Sequence, residues 1–68
     1  MTQGQRIIRY IEDYGSITPY EAFRDLGITK LATRISELIS SGMEFNKVIE
    51  TGVNRYGEQI RYMRYSLL

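Results

Sequence analysis

Apolar residues recur at helical spacing as far as Gly42, and the period of the pattern then changes. The first apolar stripe consists of Ile7, Ile8, Tyr10, Ile11 and Tyr14. Thr2 followed by Gln5 has the spacing of a capping box, and Gly15 is a residue that can end a helix in the left-handed conformation. The pattern predicts a first helix over about residues 3–14.

The segment "SITPYEAF" predicts a second, short helix over about residues 19–25. Thr18 is its expected N-cap, Pro19 takes the first helical position and Glu21 closes a second capping box. Gly27 can end this helix in the left-handed conformation. Ile17 and Ala22 are spaced to pack against each other across the cap. We expect Ala22 and Phe23 to be buried, and Tyr20 is left open between core and surface.

A third helix follows almost at once. Thr29 is the expected N-cap and Gly42 the terminator, so the helix covers residues 29–41. Its predicted buried stripe consists of Leu31, Ile35, Leu38 and Ile39. The opposite side carries Lys30, Thr33, Arg34, Ser36, Glu37 and Ser40. A merely solvated helix face usually consists of long Glu and Lys side chains, which favour helices more than Thr or Ser do. We therefore expect this face to fit a partner.

After Gly42 the chain is rich in β-branched and aromatic residues, interrupted by "NRYG", whose Asn and Gly are typical of a tight turn. This predicts a two-stranded antiparallel β-hairpin over about residues 44–53 and 58–67. The alternation in each strand can be counted in two ways. We favour the register that turns Phe45, Ile49, Met63, Tyr65 and Leu67 inward. The fold class is α+β, in a single domain over residues 1–68.

The composition argues against catalysis and against a metal or cofactor. The chain of 68 residues has no Cys and no His, which removes thiolate nucleophiles, Cys/His zinc sites and the commonest general base. It also has no glycine-rich phosphate loop at the start of a helix. No apolar run approaches the roughly 20 residues of a membrane span, and the N-terminus lacks a signal-peptide pattern. We expect a cytoplasmic protein that is not an enzyme and that has no membrane partner.

The stretch "GSITPYEAFRDLGITKLATRISELISSG", followed by "NRYGEQIRYMRYSL", resembles the winged helix-turn-helix fold. It is similar, more narrowly, to the small helix-turn-helix domains that phages and prophages encode. The resemblance covers about residues 5–67. It implies three helices and a hairpin, which is the wing of this family, in a regulator that binds double-stranded DNA. The third helix would read the major groove and the wing would contact the backbone.

The resemblance also assigns roles on the third helix. Thr33 and Arg34 hold positions that such domains point into the groove, where Arg34 could bind a guanine or a phosphate. Glu37 could accept a hydrogen bond from cytosine, and Lys30 adds a cation to the same face. Thr29, with the free amides of the first turn, could bind a phosphate or could serve as a cap alone.

Other candidate contacts lie outside the third helix. In the wing, Arg55 and Tyr56 could lie along the backbone or reach the minor groove, or they could form a plain exposed turn. Arg61 and Arg64 are an odd number of residues apart and so point to opposite faces of a strand, and Arg61 is the better candidate because it is nearer the turn. Tyr20 could give its hydroxyl to a phosphate.

Charge is the weak point of the DNA hypothesis. The formal net charge is only +1, although residues 26–68 hold six basic and four acidic side chains. A monomer with about 3–5 phosphate contacts should bind weakly, so tight binding would need a homodimer or a larger assembly. The alternative is a winged-helix interaction module that binds a host or phage protein, through the same face or through an edge strand of the hairpin.

Overall fold

Three helices precede a two-stranded antiparallel hairpin in the computed structural model, which describes residues 1–68. The elements are α1 (Gln3–Tyr14), α2 (Pro19–Leu26), α3 (Leu31–Ser40), β1 (Phe45–Val53) and β2 (Gln59–Leu67). The predicted α+β class and the order of elements are confirmed. Every helix lies within one or two residues of its predicted bounds.

Two capping boxes begin the first two helices, as the sequence predicted. The Thr2 hydroxyl accepts from the Gln5 amide at 3.1 Å, and the Gln5 side chain accepts from the Thr2 amide at 2.8 Å. Thr18 and Glu21 repeat the arrangement at 3.2 and 3.0 Å. These reciprocal bonds satisfy backbone donors that no helical carbonyl can reach.

The start of α3 differs from the prediction. The N-cap is Lys30 rather than Thr29, and no side chain caps this end. The tight turn after Gly27, whose φ is +70°, carries Ile28 into the core with 1% of its surface exposed. Because Ile28 is anchored there, Thr29 is still in the turn and the first helical residue is Leu31.

The core lies where the three helices meet the base of the hairpin. It consists of Ile7, Tyr10, Ile11, Ile17, Ala22, Ile28, Leu31, Ile35 and Tyr65. The side chains packed around it are Leu26, Leu38, Phe45, Met63 and Leu67. Burial of this apolar surface is the main favourable term in a chain without disulfides.

Several side chains expected inside are outside. Tyr14 is exposed and Phe23 is 61% exposed. Tyr20, which the sequence left open between core and surface, is exposed as well. In α2 the inward side is set by Ala22 and by Leu26 four residues later, so positions 20 and 23 turn outward. In α3, Ile39 is 39% exposed. The eight residues of α2 make only about two turns, and each turn presents about one side chain to the core. The sequence pattern therefore overestimated how many of its side chains are buried.

The hairpin pairs Phe45 with Leu67 and Val53 with Gln59 at its two ends. Phe45, Met63, Tyr65 and Leu67 pack inward as predicted, whereas Ile49 is 63% exposed. Ile49 shares their face of the sheet, but it lies at the middle of β1, the outer strand, whereas the bridge to the helices is made by β2.

An isolated β-bridge joins Ile17 to the outer side of β2. The Ile17 amide donates to the Tyr65 carbonyl, and the Tyr65 amide donates to the Ile17 carbonyl, both at 2.9 Å. This bridge joins the link between α1 and α2 to β2, the last strand of the chain. The sequence analysis did not predict it.

A polar cluster links α1 to the end of α2. The Tyr10 hydroxyl donates to Asp25 at 2.6 Å, and Arg24 donates to the same carboxylate at 2.7 and 2.8 Å. The Arg24 hydrogen bonds, with the Tyr10 bond second, lower the pKa of Asp25 from 3.8 to about 2. The same Asp25 bond raises the pKa of Tyr10.

This cluster predicts a loss of stability in acid. A carboxyl whose folded pKa is lowered stabilises the fold above its unfolded pKa, and that contribution disappears as the pH falls through the folded value. We expect the free energy of unfolding to fall between about pH 5 and pH 2, and Asp25→Asn to flatten that decline while lowering stability at pH 7. Urea unfolding at several pH values measures this change in the free energy of unfolding. Asp13→Asn is the control, because its carboxylate lies 3.8 Å from Arg9 in an exposed pair. An unchanged acid slope in Asp25→Asn would contradict the assignment.

Candidate nucleic-acid interface

One side of α3 is exposed to solvent. Its exposed residues Thr33, Ser36, Glu37 and Ser40 follow the i, i+3, i+4, i+7 spacing of a single helix face. Ala32 and Ile39 border this face on one side. We call Thr33, Ser36, Glu37 and Ser40 the outward face of α3. Apart from Glu37, none of these side chains is longer than Thr, so another molecule can approach the helix closely.

Arg34 borders the outward face on the other side, toward α1. It shares this side with Leu38, one turn later, whose side chain packs against Gly4 of α1. The Arg34 guanidinium donates to Glu37 at 2.7 Å, and its Nε is buried without a hydrogen-bond partner. Arg34 is therefore held at the edge of the outward face and not at its centre.

The beginning of α3 is open. Thr29 and Lys30 are both exposed, and no side chain caps the first turn. The backbone amides of the first three helical residues have no intrahelical acceptor and carry the positive end of the helix dipole. This end, with the Lys30 ammonium beside it, has the chemistry that binds an anion.

The start of α2 carries Tyr20. Its ring is exposed, and the Arg24 guanidinium lies 5.2 Å from the ring centroid. This geometry is a cation–π contact between Arg24 and the exposed ring.

The hairpin tip, residues 54–57, has a well-defined conformation. The Asn54 side chain accepts from the amides of Tyr56 and Glu58 at 2.9 and 3.0 Å, and Gly57 has a φ of +78°. These bonds leave Arg55 and Tyr56 projecting into solvent. The tip can therefore present one cation and one aromatic ring in a preformed geometry.

The two arginines of β2 have different environments. Arg64 donates to Glu50 at 2.7 Å and to the Ser16 hydroxyl at 2.8 Å, and it also lies 3.5 Å from Glu21. The hydrogen bond between Arg64 and Glu50 is the chief cause that raises the pKa of Arg64 and lowers the pKa of Glu50. Arg61 points to the opposite face of the sheet and is exposed without an ion pair. The guanidinium of Arg61 is thus free of ion pairs, whereas that of Arg64 is held by its partners.

Fewer basic side chains are available to bind phosphate than the sequence suggests, because several are in ion pairs. Four of the nine basic side chains, those of Arg9, Arg24, Arg34 and Arg64, are in ion pairs. The remaining five are Arg6, Lys30, Lys47, Arg55 and Arg61. Three of these five, Lys30, Arg55 and Arg61, are predicted site residues. The i, i+3 spacing of Arg34 and Glu37 is the one signal from which the sequence analysis could have recognised a pairing at this site.

The structure contains no cluster of three or more acidic side chains that could hold a metal ion. None of its helices has the length and apolar character needed to cross a membrane.

A family model described as a winged helix-turn-helix domain matches residues 2–68, which include all three helices and the hairpin. No curated protein and no solved structure matches the chain.

Proposed function

Because the chain belongs to the winged helix-turn-helix family, we propose that it binds double-stranded DNA with α3 in the major groove and with the hairpin as the wing. The family implies DNA binding in general. The observation that carries the more specific proposal is the outward face of α3, which is exposed and short-chained. The major groove is about 12 Å wide and admits a helix whose outward side chains allow close approach.

In the proposed complex, the outward face of α3 contacts the edges of the bases. Thr33 lies on this face and can contact a base through its hydroxyl or its methyl group. Glu37 accepts hydrogen bonds only, so it pairs with an exposed amino group of cytosine or adenine.

In the same complex, the cationic and hydroxyl side chains around the outward face contact the phosphates of the DNA backbone. Lys30, with Thr29 and the open amides of the first turn, holds one phosphate at the start of α3. Arg34 lies on the flank and so contacts a phosphate rather than a guanine. Tyr20 donates its hydroxyl to the backbone from the start of α2. These contacts position the helix without reading sequence.

The wing makes the remaining contacts. Arg55 and Tyr56 project from the rigid tip, and Arg61 is exposed on the adjoining strand. We propose that Arg55 and Arg61 contact phosphates and that Tyr56 lies against the sugar-phosphate backbone.

The biological role follows the resemblance to phage and prophage domains. We propose a transcription regulator that acts in the cytoplasm, without catalysis or cofactor. With only five cations outside ion pairs, a single copy neutralises few phosphates, so we propose that two copies bind together. Sedimentation of the protein with duplex measures that stoichiometry.

The direct test is a fluorescence-anisotropy titration of purified protein against random-sequence duplex at 50 and 150 mM salt. For about 3–5 phosphate contacts, the slope of affinity against salt predicts a loss of roughly 20- to 140-fold over this threefold increase. Circular dichroism on the same samples verifies that the protein is folded. Folded protein that does not bind at the lower salt would contradict the proposal.

One observation favours a second function, the recruitment of a protein partner. Asn54 donates to the Glu58 carbonyl and Leu68 to that of Glu44, so even-numbered residues of β1 form the hydrogen-bonded pairs with β2. On the other edge of β1, the backbone N–H and C=O groups that point away from β2 belong to Phe45, Lys47, Ile49, Thr51 and Val53. Val48 and Ile49 are exposed at the middle of this strand.

This free edge of β1 can accept an added strand from a host or phage protein. The titration separates the two functions, because edge pairing relies on backbone hydrogen bonds and apolar contact rather than on phosphate neutralisation. Protein that fails to bind duplex at 50 mM salt would favour the partner function.

A further inference from the structure

The exposed surface of α3 lacks the side chains that read a base with two hydrogen bonds. Between Leu31 and Ser40 the exposed residues are Ala32, Thr33, Ser36, Glu37, Ile39 and Ser40. Arginine or lysine reads guanine in this way, and asparagine or glutamine reads adenine. The only such side chain in the helix, Arg34, is at the flank and bonded to Glu37 at 2.7 Å. The helix must therefore distinguish bases by other contacts.

Methyl groups are the feature that this surface does offer. Ala32 presents its Cβ, Thr33 its Cγ2, and Ile39 is 39% exposed although it borders the core. The C5-methyl group of thymine projects into the major groove and makes apolar contacts with alanine and with the threonine methyl. Because Ala32 and Ile39 lie two turns apart on one side of the helix, they can reach bases at different positions along the groove.

Glu37 does not itself distinguish the two kinds of base pair. Its carboxylate can accept from the N6 amino group of adenine or from the N4 amino group of cytosine. An A·T pair offers both an amino group and a methyl group in the major groove. A G·C pair also offers an amino group, on cytosine, but it has no methyl group, so the methyl contacts are what distinguish the two kinds of pair for this surface.

We propose that α3 selects A·T-rich duplex through contacts of Ala32, Thr33 and Ile39 with thymine methyl groups. This inference rests on the proposed DNA binding by α3 and names the class of sequence that the same surface prefers. Short neighbouring side chains, Ser36 and Ser40, permit the close approach that methyl contacts require.

The test compares two A·T-rich duplexes of identical sequence, one with thymidine and one with deoxyuridine at every such position. Deoxyuridine lacks the C5-methyl group and keeps all hydrogen-bonding groups and phosphates. We expect the wild-type protein to bind the thymidine duplex about fourfold more tightly for each methyl group that it buries, with the same salt dependence. Equal affinity for the two duplexes would overturn the inference and leave the proposed function standing. Absence of binding to either duplex would overturn the proposed function itself.

The variant Thr33→Ser removes one methyl group and retains the hydroxyl. We expect it to lose about fourfold in affinity for the thymidine duplex and none for the deoxyuridine duplex. Thr51→Ser, an exposed threonine on β1, is the matched control and should keep the full preference. A preference that survives unchanged in Thr33→Ser would contradict the methyl contact at this residue.

Discussion

Replacement of Ile17 by Ala is expected to lower the free energy of unfolding by about 2–5 kcal/mol. Ile17 is fully buried and also forms the backbone bridge to Tyr65 that joins β2 to the helices. Truncation removes apolar contact and leaves a cavity at this junction. A domain of this size without disulfide or metal rarely has more than about 3–5 kcal/mol of stability, so much of the chain should unfold at 25 °C.

Ile49→Ala is the matched control for this prediction. The substitution is chemically the same, but Ile49 is 63% exposed, so the free energy of unfolding should change by no more than about 0.5 kcal/mol. Ile17→Val should cost about 0.5–1.5 kcal/mol and keeps the measurement quantitative if Ile17→Ala does not fold. Urea unfolding followed by far-ultraviolet circular dichroism gives all three values. Similar losses for Ile17→Ala and Ile49→Ala would contradict the described core.

Lys30→Ala combined with Arg34→Ala is expected to weaken duplex binding about 30-fold at physiological salt. Each phosphate contact contributes about 1 kcal/mol under these conditions, and the two together give about 2 kcal/mol. Removal of Arg34 also leaves the Glu37 carboxylate without its 2.7 Å partner, which adds repulsion toward phosphate. The slope of log affinity against log salt should become shallower by about 2.

The control removes the same number of charges elsewhere. Arg6 and Arg9 are exposed on α1, and Arg6→Ala with Arg9→Ala changes the net charge equally while leaving α3 intact. We expect this pair of substitutions to weaken binding by less than about threefold. Arg34→Gln, which keeps most of the aliphatic side chain, replaces Arg34→Ala if the double variant is unstable. Equal losses in the two double variants would contradict the assignment of binding to α3.

The helices were predictable because their ends are encoded locally. Thr18 and Glu21 lie three residues apart and form their reciprocal bonds without help from the rest of the fold. Gly15 and Gly27 adopt the positive φ that ends a helix, again within one turn of the chain. The winged helix-turn-helix resemblance is confirmed by the family match, whereas a phage origin remains a prediction.

The candidate site was predictable in part. Helical periodicity alone places Thr33, Glu37 and Ser40 on one side of α3, and their exposure agrees with it. Periodicity does not say which cations are paired. Arg64 binds Ser16 and Glu21, more than 40 residues away in the chain, and no local pattern predicts such contacts.

The sequence by itself determined the ends of α1 and α2 and the order of all the elements, since caps, glycine turns and apolar periodicity act over a few residues. The start of α3 is the exception, because burial of Ile28 moves it from Thr29 to Leu31. The tertiary structure alone decided which apolar side chains are buried and which backbone edges are paired. Ile49 and Ile17 have the same side chain, yet Ile17 is fully enclosed and Ile49 is exposed. The difference arises because burial depends on the elements that meet at a position: Ile17 lies between the helices and β2, whereas Ile49 lies on β1, the outer strand.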